Sequence, residues 1–392
     1  MGEAMNQMIS RFSGGTNHKR TKLWGLAAVF VFASASVSCV PAPQAPPTPP
    51  PPCNEPVCPL AAAARARGIY MGAEVNAGRL ATNPAYAEAV VRNFTSVTPG
   101  NELKWSVLRP SPTEWNWGPA DSIVDFAEAN NLGVRGHTLA WVNESGDQNG
   151  LPPWLRGVTD PEAFRTYVLD GVAETVGRYR GRIDRWDVVN EAFVYYNGER
   201  APSVYDRMGP DYIADLFAAA HAADPDASLW LNEVFTELFP DKANAILSLV
   251  ASLRNRGVPI HGVGLQTHLT LTPEAPAAGS ISGLVSRLRS LGVEVAITEL
   301  DVPLGPLRGE QAQVDTYRQV VRECLIAGCS EITTWGVTDA FTTLDSAGQR
   351  ENNPLLSAFF SNPSKPLLLD TAYNPKAAYQ AVVDAIEQTP RP

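Results

Sequence analysis

Five histidines and five cysteines are few for 392 residues, and each scarcity excludes something. The histidines (His18, His137, His221, His261, His268) fall into neither an HxH nor an HExxH spacing. That pattern speaks against a metal-dependent barrel hydrolase, and the sequence calls for no metal and no cofactor. There is no GxGxxG, no P-loop and no GxSxG, so the usual dinucleotide, nucleoside-triphosphate and serine-hydrolase signatures are missing. Positive charge is scarce as well. The formal net charge is −10 and the pI is near 5.1. An acidic body without a basic patch argues against nucleic acid or an anionic membrane surface as partner, and leaves neutral substrates open. Long apolar runs are limited to LWGLAAVFVFASASV at 23–37, behind the basic HKRTK at 18–22. That run is shorter than the ~20 residues a membrane span needs. Residues 1–38 therefore read as an export signal in preference to an uncleaved anchor.

The cysteines extend this reading. Cys53 and Cys58 sit close together in CNEPVC, and Cys324 and Cys329 in CLIAGC. Both pairs suit local disulfides in an oxidising compartment. Cys39 is left over, directly after the apolar segment. Two readings stay open: a lipoprotein acylated on Cys39, or a secreted protein cut near ASA at 33–35. Either places the chain outside the cell or on its surface, with membrane contact only through such an anchor. PAPQAPPTPPPP at 41–52 is an extended spacer, and residues 40–60 read as a proline-rich linker. Residues 61–392 are globular in composition, without a second low-complexity break, and read as one catalytic domain, taken as a monomer.

Short β-like runs recur along that domain at 69–75, 94–99, 133–141, 185–193, 228–234, 261–269, 294–302 and 331–337. Helical spacing fills stretches between them, at 161–179, 212–224, 241–257, 283–292 and 311–328, with a last helix at 374–388. Asp160 before Pro161 is a helix start, and Gly257, Gly292 and Gly328 are stops. Eight strands alternating with helices predict an α/β fold of the (β/α)8 TIM-barrel kind.

Polar and aromatic residues follow the second to the eighth of these runs: Asn101 and Lys104, His137 and Trp141, Asn190 and Glu191, Asn232 and Glu233, Gln266 and His268, Glu299 and Asp301, Trp335 and Asp339. In a barrel the carboxyl ends of the strands share one mouth, so these groups should converge there. Two carboxylates stand out, Glu191 after the fourth strand and Glu299 after the seventh. Singly, each could be half of a buried ion pair. Together in one mouth they match the acid and the carboxylate that glycoside hydrolysis requires. Glu191 should stay protonated among apolar neighbours, and Glu299 ionised beside Asp301 and His268. Trp141, Trp154 and Trp335 offer flat faces for pyranose rings, whereas Trp105 and Trp186 read as core.

The blocks TPGNELKW (98–105), GHTLAW (136–141), WDVVNEAF (186–193), GVGLQTHL (262–269), ITELDV (297–302), TTWGVTD (333–339) and YNPKAAY (373–379) occur in this order. In them the chain, from about Ala64 to Ile386, resembles glycoside hydrolase family 10, whose typical member is a retaining endo-β-1,4-xylanase. The resemblance implies a polysaccharide substrate, xylan or a related β-glycan. It implies Glu191 as general acid/base, Glu299 as nucleophile, and Asn190 at the sugar 2-hydroxyl. Asn101, Lys104, His137, Trp141, Gln266, His268 and Trp335 would line the subsites, with Asp301 orienting His268. CLIAGC also resembles a disulfide found in many members, between Cys324 and Cys329.

Three departures bear on substrate. Gly100 stands where the family usually has an acidic residue that helps bind a sugar one unit further from the cut. Val142 replaces a histidine after Trp141. The loop at 340–348 lacks a second tryptophan over the catalytic subsite. The expectation is intact chemistry with thinned glycone contacts; activity on another β-glycoside is the competing enzyme reading, and a non-catalytic surface carbohydrate-binding barrel, which intact Glu191 and Glu299 argue against, is the other.

Overall fold

The computed structural model describes residues 53, 55–142, 150–271, 274–346 and 354–392. The chain divides into two units, Met1–Ala45 and Pro46–Pro392, and every described residue lies in the second. The export signal, Cys39 and the proline tract at 41–52 lie outside the described residues.

Eight parallel strands close into a ring. They are β1 (Tyr70–Val75), β2 (Ser96–Pro99), β3 (Gly133–Gly136), β4 (Arg185–Asn190), β5 (Ser228–Glu233), β6 (Gly262–Leu265), β7 (Glu294–Leu300) and β8 (Glu331–Thr334). Each pairs with its successor, and β8 pairs with β1 to complete the barrel. The β3 stave resumes as a two-residue piece, Ala140–Trp141, which pairs with Val189 and Asn190. This is the expected (β/α)8 architecture.

Helices form the outer layer, and the main apolar core lies between them and the strands. Residues alternate along β1: Met71, Ala73 and Val75 join that core, while Gly72 and Glu74 face the barrel interior. Trp186 on β4 is completely buried in the core, as its sequence context suggested, and a side chain of that class contributes roughly 1.5–3 kcal/mol on burial. Helix starts follow local chemistry. Pro161–Arg178 begins with the Asp160 carboxylate accepting the Ala163 N–H at 2.8 Å. The helices Pro240–Asn255, Ser280–Ser290 and Glu310–Ile326 end two residues before the glycines read as stops.

Two features differ from the sequence reading. The domain begins earlier than residue 61. Cys53 and Cys58 are disulfide-bonded, Pro59 opens a helix (Pro59–Arg67), and Leu60 is fully buried. Residues 58–60 therefore belong to the barrel and not to the linker, because the Cys58 and Leu60 N–H groups bond to Arg92 O and the Tyr379 hydroxyl. Several strands, β4 and β6 among them, also stop short of the apolar runs at 185–193 and 261–269. The backbone turns left-handed at Glu191 (φ 56°), the first residue beyond β4, and at Thr267 (φ 58°), the second beyond β6. Those turns leave the ladder where the polar residues are displayed at the mouth.

Candidate active site

The rim of the mouth is joined by backbone bonds between successive strand ends. Glu191 N–H donates to Asn232 O, Gln266 N–H to Glu233 O, and Glu299 N–H to Gln266 O. A left-handed non-glycine residue costs of order 1–3 kcal/mol unless its surroundings over-determine it. At Glu191 they do. The next N–H, of Ala192, donates to Glu233 Oε1 at 2.6 Å, and Glu233 Oε2 pairs with Lys242 Nζ at 2.9 Å, both side chains fully buried. Glu233 and Lys242 thus anchor the backbone that presents Glu191. Lys242 lies on an outer helix, 51 positions beyond Glu191 in the chain, so pattern reading offered no signal for it.

Above this base the side chains form one continuous network. Asn232 Nδ2 donates to Glu299 Oε1 at 2.7 Å and to Asn190 Oδ1 at 2.8 Å. Its Oδ1 accepts from the Thr298 hydroxyl at 2.7 Å, which fixes the orientation of the amide. A Cβ on Gly264 would stand 2.2 Å from that oxygen, so the small residue makes room for Asn232. Gln266 Nε2 donates to Asn190 Oδ1 and Glu191 Oε1, each at 3.2 Å. The two candidate carboxylates are therefore linked through Gln266, Asn190 and Asn232. In the sequence Asn232 is one strand-end polar residue among several, outside the set that the family resemblance implies for the site. Its alternate position to Leu231 on β5 was the available signal.

Glu299 is 4% exposed. Burial alone would raise its pKa, but the hydrogen bond from His268 and the nearby His137 and His268 charges outweigh it. The carboxyl is held below the ordinary glutamate value. His268 stands between two acids, with Nε2 3.0 Å from Glu299 Oε2 and Nδ1 2.7 Å from Asp301 Oδ2. Both ring nitrogens then act as donors, and the imidazole is held well above its ordinary pKa by Asp301 and Glu299 against the opposing effect of burial. Glu191 is 8% exposed, with the Tyr195 hydroxyl 3.5 Å from its Oε2.

Aromatic and cationic groups complete the wall. Trp335 meets the His137 ring edge-to-face at 5.3 Å and the His268 ring at 5.9 Å. Lys104 Nζ bonds Asn101 Oδ1 at 3.1 Å and lies 4.7 Å above the Trp141 ring. Burial lowers the Lys104 pKa, opposed by the surrounding Glu299, Glu74, Glu191 and Glu102. His137 Nδ1 lies 2.9 Å from Asp187 Oδ2; the carboxylate can only accept, so Nδ1 carries the proton. Asp187, ambiguous within WDVVNEAF, also bonds Arg135, which pairs with Glu331, giving a buried charge cluster beneath the mouth.

Two residues read toward the mouth have other partners. Asp339 accepts from Leu367 N–H and Lys376 Nζ, and so secures the segment after β8. Trp154 donates its indole N–H to Arg109 O and packs edge-to-face on Tyr167. Both are accounted for by folding contacts. Trp105 is buried in the core, as expected. Cys324 and Cys329 are joined in a disulfide.

The family model "Glycosyl hydrolase family 10" matches residues 59–385. The chain is 35% identical over 318 residues to a beta-1,4-xylanase of Dictyoglomus thermophilum, covering 76% of this chain and 84% of that one. It is 33% identical to endo-1,4-beta-xylanase B of Thermotoga neapolitana, with 84% and 92% covered. Xylanase 10B from Thermotoga petrophila, solved in complex with xylobiose, superposes with a TM-score of 0.74 at 31% identity, covering 84% of this chain and 97% of that one. A closed parallel barrel, a mouth holding two networked glutamates and a match across nearly the whole globular region lead to one assignment: the chain belongs to glycosyl hydrolase family 10.

Proposed function

We propose that the chain is an endo-1,4-β-xylanase that cleaves internal β-1,4-xylosidic bonds with retention. The observation that carries this reading is the hydrogen-bonded path from Glu191 through Gln266, Asn190 and Asn232 to Glu299. Glu299, held ionised by His268 and Asn232, attacks the anomeric carbon and forms a glycosyl-enzyme. Glu191 protonates the departing oxygen, then takes a proton from the water that hydrolyses the intermediate. His268, braced by Asp301, keeps the nucleophile charged and oriented. Asn190, fixed by Asn232 and Gln266, offers its amide to the sugar hydroxyl beside the reacting carbon. Trp335, Trp141, His137, Asn101 and Lys104 contribute stacking faces and polar contacts along the cleft.

Glu299→Ala beside wild type on xylan, with product anomers followed by NMR, tests the reading. The variant should lose turnover and wild type should release β-anomers first. A variant as fast as wild type removes the nucleophile assignment, and first-formed α-anomers remove retention. Turnover of cello-oligosaccharides with none on xylan selects the competing β-glycoside reading.

We further infer an exported, monomeric enzyme, tethered through Cys39 when that residue is acylated. The two disulfides support an oxidising compartment. Salt-resistant membrane association that disappears in Cys39→Ala supports the tether, and its persistence in that variant rejects it.

A further inference from the structure

Glu74 is the penultimate residue of β1 and points into the barrel mouth beside the segment that follows β2. Register brings it there: Glu74 pairs with Thr98, Val75 with Pro99, and Gly100 N–H donates to Val75 O. A Cβ added at Gly100 would stand 2.1 Å from Glu74 Oε1 and 2.9 Å from its Cδ. The space in front of Gly100, read from sequence as a thinned glycone contact, is therefore filled by a carboxyl arriving from another strand. Position 100 holds no side chain while Glu74 keeps this place.

Among the described residues that carboxyl has no hydrogen-bonded partner. Glu74 is 6% exposed. Burying a carboxyl without partners is costly, so a retained one calls for a ligand or a function. Its charged neighbours are Arg79 and Lys104, which favour ionisation, and Glu102 and Glu299, which oppose it. Burial is the strongest influence and raises its pKa to about 7. Glu102 by contrast is engaged, accepting from Asn76 Nδ2 and from the N–H groups of Ala77 and Asn101. Lys104 and Asn101 bond each other against Trp141. An unbonded carboxyl thus lies within the electrostatic reach of an ammonium that bonds an amide and sits over the Trp141 ring, a donor and acceptor set suited to the hydroxyls of a pyranose ring.

We propose that Glu74 is a sugar-binding carboxyl on the glycone side of the cleft, contacting the ring one unit beyond the ring that is cleaved. This rests on the xylanase reading above. The ring at the cut is served by Asn190, Gln266, His268 and Glu299, and Glu74 with Asn101 and Lys104 serves the next. The subsite is retained with its carboxylate moved from the β2 segment to β1.

The test compares p-nitrophenyl β-xyloside, with one glycone ring, and p-nitrophenyl β-xylobioside, with two. Glu74→Ala should lower kcat/KM on the xylobioside roughly 10- to 100-fold, the usual effect of a lost charged hydrogen bond. On the xyloside it should stay within about threefold, because the reacting ring is untouched. That retained turnover also shows that the variant folds. Glu74→Ala with Gly100→Glu, which returns a carboxylate to the same space from the other strand, should recover most of the loss. Equal losses on both substrates, no loss on either, or a double variant no better than the single overturn the assignment. If wild type turns over neither substrate, the xylanase reading fails by itself. Xylobiose binding measured by calorimetry then decides Glu74: weaker binding by Glu74→Ala supports it and unchanged binding rejects it.

Discussion

Asn232 Nδ2 lies 2.7 Å from Glu299 Oε1, while the second proton of the same amide goes to Asn190. One side chain on β5 therefore orients both the carboxylate on β7 and the amide beside Glu191 on β4. The family resemblance pointed to the two ends of this relationship, and the fold supplied the middle.

Replacing Asn232 by Asp puts a second negative oxygen where a donor met Glu299. A like charge at this distance disfavours the ionised form, so the Glu299 pKa should rise. The acid limb of the kcat/KM–pH profile should move upward by about one unit or more. Asn232→Ala removes the donor without adding charge and should shift the limb less. A profile unchanged in Asn232→Asp would refute this link.

His268 is charged in the folded protein above the pH at which it is neutral when unfolded, because Asp301 and Glu299 outweigh burial. A raised pKa contributes stability that is full below the unfolded value of 6.5 and is lost as pH rises through the folded value. The stability advantage of wild type over Asp301→Asn should therefore be largest near pH 6, at about 3 kcal/mol, and shrink toward alkaline pH. Urea unfolding across pH measures it. An advantage that grows with pH contradicts the assignment.

Lys242 and Glu233 are a buried pair whose second function is to hold the Ala192 N–H. Lys242→Met leaves the Glu233 charge uncompensated and should cost about 3–5 kcal/mol in chemical denaturation. Pairing it with Glu233→Gln should recover a large part, because no isolated charge remains. If the double variant is less stable than the single, the pair is not coupled in this way.

The Cys324–Cys329 bridge closes a short loop between the helix Glu310–Ile326 and β8. Loop-closure entropy for a ring of this size gives about 2 kcal/mol. Cys329→Ser should lower unfolding free energy by that amount and leave kcat unchanged. A loss of activity with unchanged stability would place the bridge in a different role.

Much of the fold was legible because alternating apolar runs and helical spacing are local properties of the chain. β4 shows both the success and the limit. WDVVNEAF marked a strand ending in a carboxylate, yet the left-handed turn at Glu191 depends on Glu233 and Lys242, which no local pattern announces. The linker boundary failed for a related reason. CNEPVCPL looked like the tail of a proline tract, and only the packing of Leu60 and the Arg92 bond to Cys58 draw it into the domain. Asp339 and Trp154 stand out in the sequence by position alone, and the partners that hold them, Lys376 and the Arg109 carbonyl, are far along the chain.

By itself the sequence determined the barrel, its eight staves and the identity of the residues at their ends, since side-chain periodicity follows from the chain's own geometry. It also carried the two glutamates and the family. Only the tertiary structure decided how those ends cooperate: which amide meets which carboxylate, which histidine is held charged, and that Glu74 stands in front of Gly100. Those relationships depend on strand register and on burial, which join residues tens to hundreds of positions apart and set their charge through surroundings no local stretch contains.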